Sequence, residues 1–421
     1  MTQTRTRRSH GKRGRPARNT PNAKSARTQR PTRTRAATRP RGATRSRTAS
    51  RSRTVSKRAA VPTSATPFIV LLGLVVSFSL LGLTMVLSAS SVTSLTETGS
   101  PWGQFRSQAM WLGIGVVACA VGTFLDHRLL RRFTVPILIA SLVLLVMVLL
   151  PWFGVSVNGA QRWIRLGPIQ FQPSEAAKFA LALFAADNLA RSKTVGNTRQ
   201  LKPILFVLVT YGALILLQPN LGTTIIMFVI GISALFASGV RLSVVGLIGL
   251  IGAGAAGALA YLTPFRRNRL LAFLDPWADP LGDGWQTIQS LVSVANGGVT
   301  GVGIGESRGK FGFLPEAHND FVFAVTAEEF GLVGAVTVVL GYVIFGLVSL
   351  VIARRADRFG GLLVVAIASW ILAQAFINIG SVLGVMPITG VPLPFMSAGG
   401  TSLVVTLGAV GVMLNVARSA Q

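Results

Sequence analysis

From Phe68 onward the apolar residues come in long unbroken runs separated by short polar breaks. They follow neither the stripe of a soluble amphipathic helix nor the alternation of a half-buried strand. A helix needs about 20 predominantly apolar residues to cross a bilayer, and ten segments approach that length. They are Phe68–Ser90, Ala109–Leu125, Phe133–Trp152, Glu175–Leu189, Pro203–Leu217, Leu221–Ser238, Leu242–Tyr261, Phe321–Ile352, Gly360–Val385 and Ser402–Val416. The fourth, fifth and tenth are short, while the eighth is long enough to tilt or to begin outside the bilayer. The pattern predicts an all-α polytopic membrane protein of about ten transmembrane helices, with a large extracytoplasmic loop between helices 7 and 8.

Charge sets the sidedness. With the N-terminus inside and the spans alternating, the inside loops carry Arg128, Arg131 and Arg132; Arg191, Lys193, Arg199 and Lys202; Arg241; and Arg354, Arg355 and Arg358. The short outside loops carry only Arg106, Arg162 and Arg165. This is the positive-inside bias, and removing one middle span would invert everything after it. Both termini are therefore expected in the cytoplasm.

The composition agrees, at 50% hydrophobic and 13% charged residues. The formal charge of +28 is unevenly spread: Met1 to Ala60 hold 20 of the 41 Lys and Arg and no acid. Residues 1–66 thus read as a disordered basic cytoplasmic tail and residues 67–421 as the membrane domain, with 262–320 as its large loop. So many cations would attract any polyanion, nucleic acid included. The tail has no aromatics of the kind single-strand binders stack on and it precedes a membrane helix, which favours anionic headgroups and excludes nucleic acid as a partner. The single cysteine, Cys119, rules out an intramolecular disulfide and reads as a small packing residue.

The candidate chemistry lies in three polar segments predicted to share the outer face: Phe153–Ser174, Leu262–Asp320 and Pro387–Thr401. Lys310 to Phe321, KFGFLPEAHNDF, is the densest of them. Asp320 stands at an apolar boundary, where desolvation raises a carboxyl pKa and suits the group to accept a proton. If Pro315 starts a helix running into the eighth span, Glu316 and Asp320 share one face; the alternative is that the two acids only enrich a helix N-terminus. His318 suits a hydrogen-bond or substrate contact. Lys310 and the cluster Arg266, Arg267 and Arg269 place cations against the topological preference, as an anionic ligand would require, although long loops translocate whatever their charge.

Gly297 to Gly309, GGVTGVGIGESRG, could form an anion-holding nest. Gln286–Asn296 reads as a short amphipathic helix at the interface. Glu175 and Lys178, three residues apart, read as a mutual salt bridge or as the lining of a substrate groove, and Glu328 and Glu329 carry the same two readings. Gly390 to Ser402 reads as non-helical backbone lining a cavity. QPNLGT, Gln218 to Thr223, reads as a tight turn without chemistry of its own.

These ordered motifs closely resemble those of the SEDS (shape, elongation, division and sporulation) family over about Pro67 to Ala417. The likeness rests on NGAQRWIRLG with QPSE, QPNLGT, QTIQS with GVTGVGIGES, LPEAHNDF and PLPFMSAGGTS, and it leans towards the division members rather than the elongation members. The resemblance implies a peptidoglycan glycosyltransferase of the bacterial cell membrane that polymerises lipid II, enriched at the septum. It implies a class B penicillin-binding protein and other divisome proteins as partners. The family's loop aspartate matches Asp320, its loop lysine Lys310, and its Glu–Lys pair Glu175 and Lys178. Substrate contacts are further implied for Glu316, His318, Arg162, Gln289, Ser290 and Ser397. No cofactor is obligatory; a divalent cation, magnesium or manganese, would be held by the phosphates and one carboxylate. Rival readings are a lipid II flippase, which intramembrane charges and broken helices fit, and a scaffold without activity.

Overall fold

The computed structural model describes residues 65–157, 159–167, 169–191 and 200–420. The basic tail and the loop cations Lys193 and Arg199 lie outside the described residues. In chain order the helices are α1 (Thr66–Thr98), α2 (Gly103–Phe124), α3 (His127–Leu130) and α4 (Thr134–Met147). Three short strands follow: β1 (Gly154–Val157), β2 (Ala160–Leu166) and β3 (Ile169–Phe171). Then come α5 (Pro173–Ala190), α6 (Leu201–Leu217), α7 (Leu221–Ala237), α8 (Leu242–Leu262), α9 (Pro264–Leu274) and α10 (Trp285–Gly297). The chain closes with α11 (Val322–Arg355), α12 (Arg358–Val382) and α13 (Gly400–Ser419).

Each of the ten predicted apolar segments is a helix. Among the described residues, seven stretches are long and apolar enough to cross a membrane: α1, α2, α3 joined to α4, α8, α11, α12 and α13. At 17 residues each, α6 and α7 are apolar but shorter, and α5 carries Glu175, Lys178 and Asp187. The chain is a multi-pass membrane protein. Its core is a bundle with α12 at the centre, packed on α5, α7, α11 and α13. Trp370, Ile371 and Ile367 of α12 are fully buried there. By contrast, α8 turns nearly all its side chains outward and touches only α7 and α9 closely.

Small residues let α2 and α13 approach until their backbones nearly touch. A Cβ on Gly411 would stand 2.2 Å from the carbonyl oxygen of Cys119, and one on Gly122 would stand 2.7 Å from that of Gly408. Close backbone approach through small residues is how helices associate when lipid supplies no hydrophobic drive.

Three features depart from the expected layout. First, the polar segment after α4 is an antiparallel three-stranded sheet, β1-β2-β3, with Ile164 paired to both Gly154 and Phe171. Second, Pro315 starts no helix: residues 312–321 are turns, and α11 begins at Val322. Glu316 sits in left-handed backbone at φ 55°, so Glu316 and Asp320 do not share a helix face. Third, α11 is broken at Gly331, with φ 65° and ψ −162°.

The glycine-rich loop is wedged into that break. The Val302 and Gly303 amides donate to the carbonyls of Glu328 and Glu329, while the Leu332 and Val333 amides donate to those of Gly298 and Val299. Every group that the break releases on these four residues finds a loop partner, which a membrane interior demands. A Cβ at Gly331 would meet backbone only: the nitrogen of Gly301 at 2.4 Å and the carbonyl oxygen of Val299 at 2.5 Å. Gly331→Ala should cost about 1–3 kcal/mol through the disfavoured dihedral alone and more as the loop is pushed away. A thermal unfolding midpoint unchanged from the wild type would show that the break tolerates a side chain.

Candidate active site

Five of the predicted site residues gather around one polar cavity of about 1080 Å³ at the end of the bundle where α5 and α7 begin. Its walls come from α2, β2, β3, the first turns of α5 and α7, α9, and the loops that precede α11 and α13. Asp320, Glu316, His318, Arg162 and Glu175 all line it. Arg266 and Arg269, three residues apart on α9, both reach it, whereas Arg267 between them is exposed.

Asp320 is held by its backbone. Its carbonyl accepts from the Asn378 side chain at 2.7 Å, and the same amide group donates to the Val391 carbonyl at 2.9 Å. The His318 carbonyl accepts from the Ala398 amide at 2.9 Å. One helix residue and one backbone pair thus pin the loop before α11 to the loop before α13. Tyr342 adds a third tie, donating to the Pro394 carbonyl at 2.6 Å.

The Asp320 carboxyl is pushed up to about 6, mainly because packing strips it of water and secondarily because Glu316 repels its charge. Arg269 and Arg162 pull the other way without overcoming these effects. A carboxyl in that range is poised to take a proton near neutral pH. Arg162 is anchored by the carbonyls of Gln218 and Pro219, at 3.0 and 2.6 Å. The QPNLGT turn therefore does contribute: it aims Arg162, while Asn220 and Thr223 line the cavity themselves. Glu175 meets Lys178 at 2.9 Å, so the mutual salt bridge forms, with Glu175 facing the cavity and Lys178 outside its lining. Lys178 also donates to Gln374 at 3.0 Å.

Besides Lys178, four more of the expected contacts are not in the cavity lining. Ser290 donates to the Val382 carbonyl at 2.9 Å and is fully buried, pinning α10 to the end of α12. Ser397 accepts from the Leu393 amide at 2.8 Å and holds the loop before α13. Gln289 stands on α10 outside the lining, and it is Gln286, one turn earlier, that reaches in. Lys310 folds back to donate to the Gly305 carbonyl and sits 5.6 Å from the Phe311 ring centre. A short helical turn at Gly309–Phe311 carries it, and its bond to Gly305 ties it to the glycine-rich loop.

That loop does form a nest, and the anion in it is Glu328. The carboxylate accepts from Ser307 at 2.5 Å and from the amides of Arg308 and Gly309 at 3.1 and 3.4 Å. Glu329 accepts from Ser88 of α1. The amphipathic α10 buries its Thr287, Ser290 and Ser293 face and leaves Leu291 and Val292 exposed, the arrangement of a helix lying at an apolar boundary.

Among the described residues, no three His, Cys, Asp or Glu side chains gather as a metal cage. Asp320 and Glu316 are the two carboxyls in one electrostatic field that could share a divalent cation brought by a phosphate ligand.

Comparison with known proteins places these observations in a family context. The family model FTSW_RODA_SPOVE, described as "Cell cycle protein", matches residues 68–421. A protein of Nitrosococcus halophilus named "Probable peptidoglycan glycosyltransferase FtsW" is 40% identical over 358 residues, covering 83% of this chain and 92% of its own. A protein of the same name from Geobacter metallireducens is 37% identical over 351 residues, covering 83% and 94%. Among solved structures, a chain from "Structural coordination of polymerization and crosslinking by a peptidoglycan synthase complex" superposes with a TM-score of 0.68. It is 32% identical and covers 83% of this chain and 97% of its own. The rod shape determining protein RodA of Thermus thermophilus gives 0.62 at 29% identity, covering 83% and 96%.

Proposed function

We propose, with the chain belonging to the cell cycle protein family of FtsW, RodA and SpoVE, that it is a peptidoglycan glycosyltransferase of septal wall synthesis. It polymerises lipid II into glycan strands and releases undecaprenyl pyrophosphate. The observation that carries the mechanism is a carboxyl raised to about 6 that shares one cavity with Arg162, Arg266 and Arg269.

In this reading Asp320 takes the proton of the acceptor's GlcNAc 4-hydroxyl as the oxygen attacks the anomeric carbon of MurNAc. The bond to the α-linked pyrophosphate breaks and the leaving group keeps the electron pair, so the new linkage is β-1,4 with inversion. The three guanidiniums offset the charge that develops on the pyrophosphate, a task their planar forks suit. A bound divalent cation would supply further charge neutralisation there. Lys310 and Glu328 serve by fixing the loop.

Ten spans with both termini cytoplasmic put this cavity on the outer face, where lipid II presents its sugars. Residues 1–66 form the tail, 67–421 the membrane domain and 262–320 its outer loop. A class B penicillin-binding protein crosslinks the product, and other divisome proteins bring the pair to the septum.

The direct test is lipid II polymerisation by the purified chain with its transpeptidase, the product identified by its digestion with lysozyme. Polymer sensitive to lysozyme is expected. None, beside a working polymerase in the same assay, would overturn the reading. Gly390 offers a finer probe: its φ is 70°, and a Cβ there would stand 3.5 Å from an Asp320 carboxylate oxygen. The added methyl would only touch the carboxylate, so the effect comes from the left-handed backbone. Gly390→Ala is expected to cost about 1–2 kcal/mol of thermal stability and to slow polymerisation about tenfold as the strained turn shifts beside the base. Unchanged kcat would mean that the turn absorbs the strain without moving Asp320.

A further inference from the structure

At the opposite end of the bundle, where α5 ends, a second open cavity of about 500 Å³ is lined by Arg128, Arg131, Arg132, Arg191, Asp357 and Phe359. Its volume is in the range of clefts that take small ligands, about 300–1,000 Å³. Ordinary positive-inside charges scatter along separate loops. Here four guanidiniums converge from three places: Arg128 from α3, Arg131 and Arg132 from the helical turn after it, and Arg191 from the end of α5.

The cluster is partly built. Asp187, only 6% exposed, accepts from Arg131 at 2.6 Å and from Arg191 at 2.7 Å, holding both in place. Arg131 also lies 5.6 Å from the centre of the Phe359 ring, which stacks on the buried His127. Asp357 is engaged by His127 at 3.2 Å. Four cations therefore face Asp187 and Asp357, with the exposed Asp126 capping the Arg128 amide at 2.8 Å, which leaves the cluster net positive. The excess rests on Arg128 and Arg132, whose exposed guanidiniums have no side-chain partner among the described residues. Asp357, the residue before α12, and Phe359 in its first turn close the other side of the cavity.

We propose that this cavity binds the phosphate headgroup of an anionic phospholipid of the cytoplasmic leaflet. Anion chemistry follows from the uncompensated arginines, whose forks match a phosphodiester. The choice of lipid over free phosphate follows from the neighbours. Leu129 and Phe133, beside the arginines in sequence, are 37% and 50% exposed, and Phe124 is 73% exposed, so an acyl-chain surface adjoins the site. The inference rests on the topology above, which makes this face cytoplasmic, and not on the chemistry assigned to Asp320.

The test is native mass spectrometry of the full-length chain in detergent, titrated with phosphatidylglycerol. The paired substitutions Arg128→Gln and Arg132→Gln are compared with Arg354→Gln and Arg355→Gln, an equal charge change on the same face outside the cavity. At roughly fivefold for each arginine at an anionic surface, the cavity pair should weaken the tightest lipid site about thirtyfold. Arg132→Gln alone should weaken it about fivefold, and the control pair should leave it intact. Phosphatidylcholine should not be retained, and inorganic phosphate should not displace the lipid. Equal losses in the two paired variants would reduce the effect to general surface charge. Displacement by inorganic phosphate would make this a site for the free ion, and either outcome would overturn the proposal. Matching thermal unfolding midpoints establish that the variants are folded.

Discussion

Asp320→Asn should abolish polymerisation while making the protein more resistant to heat. The two effects have one cause. General-base catalysis contributes about 10²–10⁴-fold, and an amide cannot take the proton, so kcat should fall by at least that factor with KM little changed. If Asp320 is the base proposed above, the carboxylate is the working form, and the wild-type rate should fall as pH drops through about 6.

Stability runs the other way. The folded pKa lies above the ordinary 3.8, so between the two values the folded state binds more protons than the unfolded one, and stability falls as pH rises. The cost of ionising Asp320 is therefore absent below 3.8 and complete above about 6. After discounting for partial exposure, removing it should return roughly 1–3 kcal/mol at neutral pH. Unfolding midpoints of the two proteins, compared at pH 4 and pH 7.5, give the check. A gain that is the same at both pH values would mean that the carboxyl is not strained by ionisation, and an active Asn variant would remove Asp320 as the base.

Lys178→Met should destabilise the protein more than any other single change considered. The Lys178 side chain is completely buried and that of Glu175 is 3% exposed, with 2.9 Å between their charged atoms. The ammonium also donates to Gln374 and lies 4.8 Å from the centre of the Trp370 ring. Deleting one member of such a pair leaves a buried charge without its counter-ion, at about 3–5 kcal/mol. Pairing Lys178→Met with Glu175→Gln should recover most of that loss, since an apolar and neutral replacement of both partners is often near neutral. Thermal unfolding of the two single variants and the double variant closes the cycle. A double variant as unstable as the worse single would show that Lys178 acts through packing on Trp370 and not through charge.

The helices were legible because crossing a membrane is a local demand: each apolar run must satisfy its own backbone, wherever its neighbours lie. The sheet was not, since the polar segment around Gly154, Gly159 and Gly167 offers only short stretches of alternation between glycines. In the cavity, Asp320, Glu316, His318, Arg162 and Glu175 stood out as charge or polarity in an apolar setting, and the structure brings all five together. Arg266 and Arg269 were visible as misplaced cations, but their helical spacing could be used only once α9 was known.

Ser290, Ser397 and Lys310 turned out to hold backbone, a role set by which carbonyl or amide happens to lie alongside. Asn378 and Gln374 escaped notice although a signal existed. They are two amides four residues apart inside the otherwise apolar α12, and polar groups at that depth are retained for a reason.

The break in α11 bears on how the protein enters the membrane. A ribosome delivers residues 297–303 before residues 328–333, so the loop is already synthesised when the kinked helix emerges. Until the two meet, nothing holds Gly331 out of helical backbone, and the same groups can pair within α11, the Leu332 amide with the Glu328 carbonyl and the Val333 amide with that of Glu329. An unbroken α11 can therefore enter hydrocarbon with its backbone satisfied. Docking of the loop then exchanges those two helical bonds for four bonds to residues 298–303. Insertion of the helix and opening of its break are thereby separable steps, the second driven by the loop.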